Sequence, residues 1–210
     1  MKASLLAAAL TLAATATTAC AAPDAAAVSA ATVGQPAPAF KLVDSTGKTR
    51  SLSEFAGKTV VLEWTNHECP FVRKHYGSGN MQKQQRDATA KGVVWLSINS
   101  SAPGKQGHVD GAAAEQVRTQ VRAAQTAYLL DPSGTVGRAY GAKTTPHMYI
   151  IDPKGVLRYA GGIDSIPSPN PADIANATQY VPQALAELAA GKPVSVSVSR
   201  PYGCTVKYAD

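Results

Sequence analysis

The segment that most constrains this chain is Thr59-Val60-Val61-Leu62-Glu63-Trp64, followed five residues later by Cys69-Pro70. The run is almost continuously apolar and rich in β-branched residues, which suits a strand covered on both faces. Such a strand needs other layers packed above and below it. Pro70 to Tyr76 then has helical character, with Pro70 in the first turn, where a missing N–H costs nothing. Gly77-Ser78-Gly79-Asn80 interrupts that helix as a hinge, and Met81 to Ala90 resumes it.

The rest of the chain supplies the layers. Phe40 to Asp44 alternates like a strand, with Ser45-Thr46-Gly47-Lys48 as its turn. Val93 to Ile98 is a second buried strand, and Ser100 to Asp110 is a loop rich in Gly, Ser and Pro. Ala112 to Thr126 reads as a helix, with Val117 and Val121 on one face. Tyr128-Leu129-Leu130 is a short strand and Val136 to Tyr140 a short helix. Met148 to Ile151 and Val156 to Tyr159 flank Asp152-Pro153-Lys154-Gly155 as a hairpin. A last amphipathic helix spans Ala172 to Ala190, with Val181, Leu185 and Leu188 facing inward. Alternating strands and helices with a late hairpin predict one α/β domain. It is a three-layer sandwich with a mixed central sheet and helices on both faces.

The amino terminus is of another kind. Lys2, the Ala- and Leu-rich stretch Leu5 to Ala16, and the small residues around Ala19-Cys20-Ala21 have the pattern of a secretory signal peptide, residues 1–21. The stretch is too short and too Ala-rich to span a bilayer, and no other segment is apolar enough to do so. Residues 22–33 read as a flexible lead-in, 34–198 as the domain, and 199–210 as a tail carrying Cys204. Cys20 has a second reading as a lipid-anchored cysteine, with Thr17 where lipoprotein leaders usually carry Leu. Export would place the chain in the periplasm or outside the cell, in an oxidising space. The formal charge is +6, and Lys and Arg are scattered singly apart from Arg73-Lys74, so there is no nucleic-acid footprint. With 45% hydrophobic and 16% charged residues, the composition excludes a disordered chain.

Once the leader is set aside, two cysteines remain, Cys69 and Cys204. In an oxidising space they form either a structural disulfide or a redox couple. Cys69 stands where a helix begins, so unpaired N–H groups and the helix dipole favour its thiolate, the nucleophilic form. Arg73, one turn on, and His67, two residues before, are placed to add positive charge. Glu63 lies in an apolar strand, where a carboxylate is costly. Pointing inward, it has a raised pKa and moves a proton to or from Cys69 through water; on an edge-like strand it meets solvent instead.

These segments resemble the thioredoxin fold, in which a buried strand leads to a turn and the reactive Cys opens a helix. Cys69-Pro70-Phe71-Val72, Tyr128-Leu129-Leu130-Asp131, Arg138-Ala139-Tyr140-Gly141 and Thr145-Pro146-His147 are similar to the peroxiredoxin-like group of alkyl hydroperoxide reductase and thiol-specific antioxidant proteins. The resemblance covers Gly34 to Ala190. It implies a redoxin-type, antioxidant thiol–disulfide oxidoreductase without a cofactor, acting on protein or small-molecule thiols and disulfides. Cys69 falls on the first, nucleophilic Cys of a C-x-x-C motif whose second Cys is replaced by Val72. Glu63 falls on the buried acid of thioredoxins. Thr145-Pro146 matches the dipeptide with a cis proline, where the Thr145 backbone receives an extended substrate. If the tail folds back, Cys204 resolves a mixed disulfide or a sulfenic acid on Cys69. The chain departs from peroxiredoxins in two places. Their peroxide-attacking Cys aligns with Val72, and the Thr they carry three residues before it has Asn66 as its counterpart before Cys69.

Two other classes remain. Cys69, His67 and His147 would form a soft-metal site if they met, as in exported copper-handling proteins of this fold. A non-catalytic binding module with a permanent Cys69–Cys204 disulfide is the other. The Ser100 to Asp110 loop, with Lys105 and His108, is placed to line a cleft. No phosphate-binding Gly loop is present, since Gly77-Ser78-Gly79 lacks the helix start that motif needs.

Overall fold

A computed structural model describes residues 31–210. The apolar run forms strand β3 (Val60–Trp64), with every residue buried. It lies between β4 (Val94–Asn99), parallel to it, and β7 (His147–Ile151), antiparallel to it, and both are buried throughout. Two hairpins extend the sheet at opposite ends. β5 (Ala127–Leu130) pairs parallel with β4, then β1 (Lys41–Asp44) and β2 (Thr49–Ser51) follow antiparallel. β8 (Leu157–Gly161) closes the other edge beside β7. The seven-stranded order is β2-β1-β5-β4-β3-β7-β8, a mixed sheet.

Alternation along β3 sends its side chains to two cores. Val60, Leu62 and Trp64 join Phe40, Tyr140 and Tyr149 on the face covered by α4 (Thr135–Tyr140). Val61 joins Trp95, Met81 and Val181 on the opposite face, covered by α2 (Asn80–Thr89) and α5 (Tyr180–Ala189). α1 (Pro70–Gly77) and α3 (Gly111–Gln120) complete the helices, and α3 packs against β5. Helices therefore cover both faces, as the sequence predicts.

Three boundaries differ from the sequence expectation. The helix expected over Ala112 to Thr126 ends at Gln120. Arg122 adopts the left-handed region at φ 53°, and Arg122 N–H and Ala123 N–H bond the carbonyls of Thr119 and Arg118. That is a Schellman stop, usually made by glycine and here made by an arginine. The helix expected over Ala172 to Ala190 is broken into a 3-10 turn, Pro171–Asn176, and α5. Between them, Thr178 and Tyr180 are taken up by backbone bonds with Ser165 and Ile163. The lead-in expected up to residue 33 is docked at its end, with Ala31 N–H bonded to the Ala139 carbonyl and Val33 packed on the core. The leader and Cys20 lie outside the described residues. Among the described residues no helix is long and apolar enough to cross a membrane.

Arg122 is exposed, and its left-handed backbone costs about 1–2 kcal/mol relative to glycine, part of which glycine returns through its freer unfolded chain. Arg122→Gly is therefore expected to stabilise the protein by about 0.5–1 kcal/mol. Urea unfolding should show a higher midpoint at unchanged slope.

Candidate active site

The turn from β3 to α1 is shaped by Asn66. Its Oδ1 accepts from the Glu68 N–H at 2.9 Å, its carbonyl accepts from the Cys69 N–H at 3.0 Å, and its Nδ2 donates to the Gln106 carbonyl at 3.2 Å. This closed turn delivers Cys69 to the N-cap of α1, with Pro70 in the first turn. Cys69 itself has no exposed surface.

The cover over Cys69 comes from far along the chain. The Thr145–Pro146 peptide bond is cis, and the Cys69 thiol donates to the Thr145 carbonyl at 3.1 Å. A two-residue strand, β9 (Cys204–Thr205), pairs antiparallel with β6 (Thr144–Thr145), placing Cys204 opposite Thr145. The Val206 N–H extends the pairing to the Lys143 carbonyl at 3.0 Å. Gly203 sits at φ 129°, and a Cβ there would collide with the Thr145 carbonyl, so the close approach needs glycine. The tail thus occupies the backbone edge that the family resemblance reserves for an extended substrate. Cys69 and Cys204 are both free thiols.

Their proton affinities are pushed apart. Burial raises the pKa of Cys69, but the Cys204 thiol, the Val72 N–H, the Thr145 hydroxyl and the Cys204 backbone, acting together, bring it below the usual thiol value. Cys204 is pushed up to about 11, first by burial and then by the neighbouring Cys69 sulfur. One thiol of the pair is thus poised to ionise and the other to keep its proton. His67, expected to supply positive charge, does not carry it. Burial lowers the pKa of His67, leaving it neutral near pH 7, and Arg73 Nε donates to the His67 carbonyl at 3.0 Å.

A buried polar cluster anchors the tail two residues before Cys204. Lys74 of α1 has a fully buried side chain, with Nζ 3.3 Å from both Asp164 Oδ2 and the Ile166 carbonyl. The Tyr202 hydroxyl donates to Asp164 Oδ1 and lies 3.5 Å from Lys74 Nζ and 3.3 Å from His75 Nε2. His75 is neutral, its pKa lowered to about 4 by burial. The Tyr202 ring meets Phe71 edge-on at 5.8 Å. Farther along, the Lys207 carbonyl accepts from the Ala102 N–H at 2.8 Å, Tyr208 lies under the Arg138 guanidinium, and Lys105 pairs with Asp210. The Ser100 to Asp110 loop therefore meets the tail through Ala102 and Lys105, while His108 Nδ1 faces the Ser101 carbonyl at 2.9 Å. Lys74, Asp164 and Tyr202 were not singled out as site residues from sequence. The one local sign was a Lys-His pair on the helix that Cys69 begins.

Glu63 is fully buried, and burial raises its pKa against four donors. Oε1 accepts from Tyr76 at 2.9 Å, and Oε2 from Trp95 Nε1 at 2.8 Å, Ser97 at 2.9 Å and Gln85 Nε2 at 3.3 Å. Tyr76 links this acid to α1. His147, considered for a metal, is buried and neutral near pH 7, with burial lowering its pKa to about 4 and its ring tilted over Tyr149 at 4.6 Å. Among the described residues no three His, Cys, Asp or Glu side chains gather to hold a metal ion.

Comparison with known proteins adds to this geometry. A family model described as the AhpC/TSA family matches residues 33–160. No curated protein matches the chain. A protein of no assigned function from Sinorhizobium meliloti 1021 is similar in fold, with 24% identity, a TM-score of 0.71, and coverage of 85% of this chain and 95% of its own. An uncharacterised conserved protein from Geobacillus kaustophilus shows 25% identity and a TM-score of 0.68 over 85% of this chain and 93% of its own. A Chlorobium tepidum protein assigned as thiol:disulfide interchange protein DsbE shows 27% identity and a TM-score of 0.51 over 62% and 85%. The fold is thioredoxin-like.

Two substitutions test the arrangement. Cys204→Ala removes a donor to the Cys69 sulfur, so the Cys69 ionisation followed by ultraviolet thiolate absorbance should move to higher pH. Tyr202→Phe leaves Asp164 short of a buried hydrogen bond, with an expected loss of about 1–3 kcal/mol in urea unfolding. The Val206 amide should then exchange faster with solvent, because the tail loses its anchor.

Proposed function

Because the chain belongs to the AhpC/TSA family, we propose that it is an exported thiol–disulfide oxidoreductase whose working pair is Cys69 and Cys204. The observation that carries this is the seating of Cys204 opposite Thr145, against the Cys69 thiol, at the edge beside the cis proline. Export rests on the leader pattern of residues 1–21 and places the protein in the periplasm or outside the cell, with Cys20 as an alternative lipid anchor. The Chlorobium tepidum relative, assigned to thiol:disulfide interchange, supports thiols and disulfides as the substrates.

The chemistry follows from the asymmetry of the two sulfurs. The Cys69 thiolate attacks a substrate disulfide; a bond forms between Cys69 and one substrate sulfur, and the other leaves as a thiolate. Cys204 then gives up its proton and attacks the Cys69 sulfur. The Cys69–Cys204 bond forms and the second substrate thiolate departs. The substrate gains two electrons and the protein loses two. Because Cys69 has no exposed surface while β9 is seated, the Cys204 segment must lift from β6 for the first attack. A hydroperoxide is a second substrate for the same pair. The Cys69 thiolate would attack its terminal oxygen, breaking the O–O bond to give a sulfenic acid and release the alcohol, and Cys204 would condense with the sulfenic acid to the same disulfide with loss of water. The Thr145 carbonyl holds the Cys69 thiol beside the cis Pro146, while Glu63, buried in β3 with its pKa raised, is the proton store that exchanges with Cys69 through water.

Redox titration with glutathione buffers checks this, read by intact mass. The wild type should pass through one two-electron transition with loss of two hydrogens, and Cys69→Ser and Cys204→Ser should each abolish it. A wild type whose two thiols never pair at any poise, or whose disulfide resists all reduction, would sink the proposal.

A further inference from the structure

A crevice between α1 and α3 lies outside the thiol pair. Val72 and Tyr76 of α1, Val117 of α3, and Val121, Ala123 and Tyr128 line it, with a volume of about 180 Å³. A cavity of roughly 150 Å³ with apolar walls is known to accept benzene, so the space suits one aromatic ring. The walls are not purely apolar. Gln125, which is 4% exposed, also lines the crevice, and its buried Oε1 has no hydrogen-bond partner. His67 contributes a second buried atom without a partner, Nδ1. Leaving a buried amide oxygen unpaired is costly. Folded chains retain few such groups, and each calls for a reason. The Tyr76 hydroxyl cannot answer Gln125, because it is committed to Glu63 and Gln85.

We propose that this crevice binds a small, largely apolar organic molecule of one-ring size that carries a hydrogen-bond donor, of the phenol class. The ring takes the place of water against the valines and Tyr128, and the Gln125 amide, whose Oε1 has no partner to lose, turns its carbonyl out to accept from the donor. His67 Nδ1 offers a second polar contact near the start of α1. Arg73 and Arg118 also belong to the lining, and neither needs a charged ligand, since Arg118 is paired with Glu115 and Arg73 with the His67 carbonyl. Val72 joins this site to the thiol pair, with its side chain in the wall and its N–H directed at the Cys69 sulfur. The proposal does not depend on Cys69–Cys204 chemistry.

Phenol and toluene, nearly equal in size and differing in the donor, are the probes. Each is titrated into the full chain with thiols reduced, and amide shifts are followed by nuclear magnetic resonance. Phenol should saturate with a Kd on the order of 1 mM, shifting Val72, Val117, Ala123 and Tyr128, and toluene should bind about tenfold more weakly. Gln125→Leu should reverse that ranking, and Val117→Phe, which fills the space, should abolish both. Shifts that do not saturate, shifts centred elsewhere, or equal binding of the two probes in the wild type would overturn the proposal. Should Gln125→Leu fail to fold, the wild-type ranking and Val117→Phe still decide it.

Discussion

The active-site region of this molecule depends on one short backbone pairing, β9 laid antiparallel on β6. It holds Cys204 opposite Thr145, and the Thr145 carbonyl in turn accepts from the Cys69 thiol. Two residues of strand are too little to hold by themselves, because a lone pair of strands is marginal in water. The pairing persists through what flanks it. Tyr202 is sunk into the Lys74–Asp164 cluster on one side, and Lys207, Tyr208 and Asp210 are tied down on the other. The buried Lys74–Asp164 pair is costly to desolvate and adds little net stability by itself. Its effect is positional, since its hydrogen bonds are satisfied only when Tyr202 is in place.

The same seating sets the electrostatics of the two sulfurs. Burial alone would raise both thiols. Donors concentrated on Cys69 reverse the sign there, and the charge that develops on Cys69 raises Cys204 further. A thiolate at one sulfur and a retained proton at the other is the division of labour that exchange chemistry uses, because a low-pKa thiolate is also the better leaving group. In thioredoxin-like relatives with a C-x-x-C motif, both sulfurs lie on one helix. Here Val72 fills the second position and is buried, and the tail brings the second sulfur from the opposite side.

Much of this was legible in the chain before the structure. The apolar run of Val60 to Trp64, the Cys-Pro helix start, the alternation in β1 and the turn chemistry of Asp152 to Gly155 each carry a local signature of burial or backbone geometry. The breaks in the α3 and α5 segments were not legible. Arg122 takes a left-handed conformation against its own preference, and residues 177–179 lie outside any helix because the 163–165 segment offers the backbone of Thr178 and Tyr180 other partners. In the sequence Lys74 is simply the second half of the basic pair Arg73-Lys74, and nothing local marks it or His75 for the interior. Their burial depends on Asp164 and Tyr202, the latter 128 residues from Lys74.

The sequence by itself determined the layered α/β sandwich and a cysteine at the head of a helix, because burial pattern and helix capping are properties of neighbours along the chain; it left Glu63 open between interior and solvent, and the central place of β3 in the sheet buries it. Only the tertiary structure decided that Cys204 faces Cys69, that the tail fills the edge at Thr145, and that Gln125 is left with an unpaired oxygen beside an open crevice. A strand of two residues has no periodicity to read. A hydrogen bond from the Thr145 hydroxyl to the Cys204 carbonyl, 59 residues apart in sequence, carries no mark of its partner until the chain has folded around both.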